Sequence, residues 1–113
     1  MRAAHRLRQS RDFARVRGEG KVYRHPVMLL SLRDNNLPGN RYGFVVGKRV
    51  GAAVSRNRCK RRLRALIDGI HDCLGQGYDI VIVAKPAILR QPYSELRRIV
   101  NVLFQRARLL KGG

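Results

Sequence analysis

Between residues 59 and 74 the apolar positions recur with the period of a helix. Placed at about 100° per residue, Cys59, Leu63, Leu66, Ile67, Ile70, Cys73 and Leu74 fall within a third of the circumference, a stripe that has to face a core. The pattern predicts a helix from residue 54 or 55 to residue 73, closed by Gly75 and Gly77. A second stripe of Leu96, Ile99, Val100, Leu103, Ala107 and Leu110 predicts a last helix, with Ser94 as its cap and Arg97, Arg98, Asn101 and Arg108 outside the stripe. Near the start, Phe13 and Val16 at i and i+3 predict a short helix capped by Ser10 and reaching Arg17, where Gly18 and Gly20 end it.

The remaining apolar runs read as strands. Residues 21–24 suit a brief one, VMLLSL after Pro26 a longer one, and RYGFVVG at 41–47 a third. The turn formers of DNNLPGN between the last two predict a hairpin loop and hence antiparallel neighbours. DIVIVA at 79–84 is apolar on both faces, which predicts an interior strand, parallel to a neighbour because a helical crossover delivers it. With 113 residues there is material for one modest core. The expected fold is therefore α+β, a single domain over residues 1–113 with elements in the order α-β-β-β-α-β-α and a mixed sheet, and no internal repeat or linker interrupts it.

Charge changes what the long helix is for. Residues 48–64, KRVGAAVSRNRCKRRLR, hold eight Lys or Arg and no acid. On the helical projection Asn57, Arg61 and Arg64 point away from the stripe, Arg58 and Arg62 flank it on one side, and Lys60 flanks it on the other. Arg56, Lys60 and Arg64 stand four residues apart as like charges, each pair costing a few tenths of a kcal/mol. A helix built only for solubility alternates signs; a polyanionic partner offsets the cost here, and Arg suits bidentate phosphate contacts and base stacking. Over the whole chain 25 Lys and Arg face 7 Asp and Glu, a net charge of +18 spread from Arg2 to Lys111. No apolar run reaches the ~18 residues of a membrane span. MRAAHRLRQSRD also lacks the apolar centre of a signal peptide, so the expectation is a cytoplasmic protein with no membrane partner.

Candidate chemistry narrows the choice further. Cys59 and Cys73 lie about four turns apart on one helix, too far to pair, and both are expected to be buried thiols. Neither a C-x-x-C nor an H-x-x-x-H spacing joins them to His5, His25 or His71, so no metal ligands are expected on the protein. RYGFVVG imitates the aromatic strand of an RNA-recognition motif only in part, with Arg41 and Gly47 at the wrong places. Phe44 is expected in the core, and Tyr42, taken to lie on the opposite face, is left to touch nucleic acid. Gly47-Lys48 ends like a phosphate loop, but Tyr42 and Arg49 replace the Gly and Ser/Thr it needs, so no small-molecule nucleotide substrate is expected. Asp68 and Asp72 are the only close pair of acids and suit a solvated surface, leaving no catalytic constellation on the protein itself.

GAAVSRNRCKRRLR, centred on Arg56-Asn57-Arg58, resembles the signature of the bacterial ribonuclease P protein subunit. The likeness extends through FVVGKRVG, RLRQSRDFARV and YDIVIVAKP and so covers nearly the whole chain in order. That resemblance implies a left-handed crossover for the basic helix and a catalytic RNA subunit as partner, with Mg²⁺ bound mainly by that RNA and the substrate. It also implies contact with the 5′ leader of precursor tRNA. By the same resemblance Lys48, Arg49, Arg56, Asn57, Arg58, Lys60, Arg61, Arg62 and Arg64 form the RNA-binding surface, with Lys60, Arg61 and Arg64 on the leader side. Phe13 lies in the leader cleft. The family's other cleft aromatics stand here as Arg17 and Leu30, so Arg17 and Tyr42, with Tyr23 in reserve, are the remaining cleft candidates. A structural RNA-binding protein of the ribosomal type is the alternative, and a protein-only nuclease is disfavoured by the scarce, dispersed acids.

Overall fold

The structure is a computed structural model that describes residues 2–111. The helices are α1 (Ser10–Glu19), α2 (Ala53–Ile70) and α3 (Tyr93–Arg106), and the strands are β1 (Lys21–Arg24), β2 (Met28–Asp34), β3 (Arg41–Val45) and β4 (Tyr78–Ala84). Their order is the expected one. Short 3-10 turns at Ala3–His5, His71–Cys73 and Pro86–Arg90 complete the path.

The four strands form one mixed sheet in the order β1-β2-β4-β3. β4 runs antiparallel to β2 and parallel to β3, so the expected interior position of DIVIVA and its parallel neighbour are both present. The expected hairpin between β2 and β3 is not, because β4 lies between them. Residues 79–82 are all buried, and a strand apolar on both faces gains most from a central place. The intervening loop is a tether: Asn35 Oδ1 accepts the Leu37 N–H at 2.8 Å, and Asn40 donates to the Gly75 carbonyl at 2.7 Å while accepting the Tyr78 N–H at 2.9 Å. Asp79, 7% exposed, accepts from Arg41 Nε at 2.8 Å and Nη2 at 2.6 Å, which locks the β3–β4 register at Arg41 opposite Asp79. This bidentate bond is also the main reason the Arg41 pKa is raised.

Helices cover both faces of the sheet. Met28, Leu30, Leu32, Ile80 and Ile82 meet Cys59, Leu63 and Ile67 of α2 and Leu96, Ile99 and Phe104 of α3 in the main core. On the other face, Val16 of α1 and Leu7 pack on Val81, with Phe13, Val45 and Val83 at the margin. α1 ends where Gly20 N–H bonds the Val16 carbonyl at 2.9 Å, and a β-carbon on Gly20 would lie 2.5 Å from the Leu32 carbonyl oxygen.

Three local expectations need correction. Neither Ser10 nor Ser94 is a cap: Gln9 and Pro92 hold those positions without a side-chain bond, and each Ser lies inside its helix. Cys73 is exposed, because α2 gives way to the tighter 3-10 turn at residue 71 and the stripe rotates; Cys59 and Leu74 stay buried. At the end of α3, Arg108 adopts a left-handed conformation (φ 58°) and the Leu109 N–H returns to the Phe104 carbonyl at 3.0 Å. That reversal buries Leu109 and leaves Leu110 half-buried.

Candidate nucleic-acid interface

α2 carries the core on one side and the charge on the other. Cys59, Leu63, Leu66 and Ile67 point inward, while Asn57, Arg58 and Arg61 are exposed and Arg56, Lys60, Arg62 and Arg64 are half-buried along the flanks. Before the helix, a turn closed by Val50 N–H on the Gly47 carbonyl at 3.1 Å leaves Lys48 and Arg49 exposed, with Val50 buried as its anchor. Arg64 differs from expectation by lying on the Lys60 flank instead of the crest, one turn further along the same side.

Ion pairing sharpens the contrast. Asp12 and Asp79 face Arg41, Glu19 faces Arg33, and Glu95 faces Arg98. Among the described residues no ion pair reaches any Lys or Arg between Lys48 and Arg64. Asp12, Asp79, Glu19 and Glu95 pair with arginines outside α2, so the basic stretch keeps a positive field toward an outside anion. Burial pushes the Cys59 thiol up, which keeps it protonated beside Arg62 and makes it a packing group.

On the Lys60 and Arg64 flank a hollow of about 390 Å³ opens across the edge strand β3. Arg6, Leu7, Arg8 and Phe13 form one wall, Tyr42, Gly43 and Phe44 the base, and Lys60 and Arg64 the other wall. Gly43 is required here: a β-carbon at that position would overlap the ring of Phe13, which rests on the bare backbone. Strand alternation puts Tyr42 and Phe44 on the same face, not on opposite faces as expected. Tyr42 is the buried one, 2% exposed, with its hydroxyl 2.7 Å from His71 Nδ1 and bonded by Asn40, whereas Phe44 is half-buried at the hollow.

Arg17 is exposed one turn beyond Phe13 and does not line the hollow. Leu30 is buried in the main core, and Tyr23 has the Arg106 guanidinium 6.0 Å from its ring centre. His71, stacked on His5 at 4.3 Å, has its pKa lowered, first by burial and then by His5. From the sequence these two histidines were weighed only as metal ligands, and Phe44 was expected in the core instead of at the hollow. The strand period alone would have paired Phe44 with Tyr42, but nothing local marks the His5–His71 contact. The described residues contain no group of three or more His, Cys, Asp or Glu able to hold a metal ion, and no helix is long and apolar enough to cross a membrane.

The sequence family described as Ribonuclease P matches residues 1–108. A protein of Chloroflexus aurantiacus named Ribonuclease P protein component is 38% identical over 111 residues, spanning 97% of this chain and 82% of the relative. One of Symbiobacterium thermophilum with the same name is 38% identical over 112 residues, spanning 98% and 97%. Among solved structures, the RNase P protein of Staphylococcus aureus has the same fold, with a TM-score of 0.87 at 20% identity over 95% of this chain and 98% of that one.

Proposed function

Because this chain belongs to the ribonuclease P protein family and is a protein component of that tRNA-processing endoribonuclease, we propose that it works through α2 as a divider between two RNA contacts. The catalytic RNA subunit meets the crest and the preceding turn, at Lys48, Arg49, Arg56, Asn57, Arg58, Arg61 and Arg62. The single-stranded 5′ leader of precursor tRNA enters the hollow between Phe13, Phe44, Lys60 and Arg64. The observation that carries this reading is the row of Lys and Arg side chains on α2 that form no ion pair among the described residues, bordered by a hollow that brings Phe13 and Phe44 together with Lys60 and Arg64. Single strands are bound by that combination of stacking surface and phosphate-neutralising charge.

The chemistry belongs to the RNA in this reading. Mg²⁺, held mainly by the RNA and the substrate, would supply Lewis-acid chemistry there, and no residue of this chain is assigned to hold it. The protein's own residues lower phosphate repulsion, so the RNA fold holds at less Mg²⁺, and they favour precursor over mature tRNA by gripping the leader. This work takes place in the cytoplasm and needs no small-molecule substrate.

Gly43→Ala tests the hollow directly. The new methyl group overlaps the Cε1–Cζ end of the Phe13 ring and displaces it, so the expected outcome is a loss of about five- to tenfold in affinity of the reconstituted enzyme for precursor tRNA. Affinity for leaderless tRNA stays unchanged. Equal losses for the two substrates would place the leader elsewhere.

Arg17 lies on the continuation of the same helix side, where the leader would leave the hollow. Arg17→Phe exchanges a charge contact for stacking. It is expected to make precursor binding less salt-dependent while leaving leaderless tRNA and catalytic-RNA binding as they were. An unchanged salt slope for precursor binding would take Arg17 out of the leader path.

A further inference from the structure

The opposite flank of α2 holds a second groove, between the helix, the Pro86–Arg90 turn and the start of α3. Its volume is about 460 Å³, within the ~300–1,000 Å³ typical of small-ligand sites. Cys59, Ile88 and Leu96 make a buried apolar floor, and Arg58, Arg62 and Arg90 line its sides. Leu89 forms the lip and is 44% exposed. Its position depends on Gly51, where a β-carbon would come within 3.1 Å of Leu89 Cδ1.

The chemistry of the lining selects its occupant. No Asp or Glu lines the groove, and among the described residues no ion pair engages Arg58, Arg62 or Arg90. A second copy of this chain would bring its own charge of +18 and be repelled. An uncharged apolar peptide would leave three guanidiniums without a counterion. An RNA duplex presents phosphates but keeps its base faces stacked inside, out of reach of Leu89. An unpaired nucleotide offers a flat base for an apolar floor and an Arg plane, with a phosphate beside it.

We propose that the groove between α2 and α3 takes one unpaired nucleotide of the catalytic RNA. Its base lies on Leu89 against a guanidinium, and its phosphate pairs with Arg58 and Arg62. Gln91 adds a means of reading the base edge: its amide nitrogen donates weakly to the Ala87 carbonyl at 3.4 Å, while its side-chain oxygen is available to accept a hydrogen bond. This inference rests on the function proposed above and deepens it, since two different RNA strands then grip α2 from its two flanks. Lys60 and Arg64 serve the leader on one side, and Arg58 and Arg62 serve the catalytic RNA on the other.

The test measures binding of the full chain to the catalytic RNA across a salt series, for wild type, Leu89→Ser and Arg58→Ala. Leu89→Ser is expected to bind about five- to tenfold more weakly with an unchanged salt slope, because no charge is lost. Arg58→Ala is expected to bind more weakly with a slope reduced by about one. Leu89→Ser should also keep the wild-type preference for precursor over leaderless tRNA in the assembled enzyme.

A Leu89→Ser variant that binds like wild type, or one that loses the precursor preference, overturns the groove proposal and leaves the family-based reading standing. A wild-type chain that does not bind the catalytic RNA at low salt overturns that reading itself. Methyl NMR of the isolated chain guards against a folding artefact. A short single-stranded oligoribonucleotide is expected to shift the Leu89 and Ile88 methyl signals where its duplex does not, and equal shifts with both would exclude base insertion.

Discussion

Raising salt from about 50 to about 200 mM is expected to weaken binding of this chain to the catalytic RNA by roughly a thousandfold. The Lys and Arg side chains on α2 and in the turn before it form no ion pair among the described residues. Every phosphate they meet releases condensed counterions, and about six contacts give a log-log slope of about −4 to −6. Uncharged contacts, such as a base on Leu89 or Phe44, add affinity without adding slope. A titration that returned a slope near −1 would mean that the basic surface is mostly solvated and that another part of the chain holds the RNA.

The second large effect is on folding. Leu63, 0% exposed between α2 and the sheet, is expected to cost about 2–5 kcal/mol when cut to alanine, through lost burial and the cavity left behind. For a domain of this size that lowers the melting temperature by on the order of 10 °C or more. Arg58→Ala, five residues away on the exposed side, is expected to melt with wild type yet bind the catalytic RNA less well. Thermal melts and binding curves on the two variants measure both quantities. A large drop in the melting temperature of Arg58→Ala would show that core and charge are not separable on this helix.

Much of this was legible in the spacing of residues along the chain. The stripe of α2 is set by local periodicity, and residues Cys59, Leu63, Leu66 and Ile67 face the core as that period requires. DIVIVA was legible as an interior strand because both of its faces are apolar. What stayed hidden depends on contacts between distant residues. The turn formers at 34–40 describe a bend but not its partner; the bonds of Asn35 and Asn40 to Asp79, Gly75 and Tyr78 tie the loop to the start of β4, which lies between β2 and β3.

The two caps failed for a smaller reason, since Gln9 and Pro92 begin their helices from extended backbone with no side-chain bond. In the site, the α2 cations were readable from composition and phase, while the aromatic side of the hollow was not. Phe13 owes its place to Gly43. The exchange of roles between Tyr42 and Phe44 follows from His71 and Asn40 anchoring the tyrosine hydroxyl. Phe104, absent from the stripe read in the sequence, is fully buried because α3 packs on two neighbours at once, α2 and β1.

The most direct measurement combines the purified chain, a ribonuclease P catalytic RNA and precursor tRNA at low Mg²⁺, and follows release of the 5′ leader with protein alone, RNA alone and both together. The expected result is no cleavage by the protein alone, slow cleavage by the RNA alone, and strong stimulation when the two are combined. Cleavage by the protein alone, or a rate with both no faster than with the RNA alone, would contradict it.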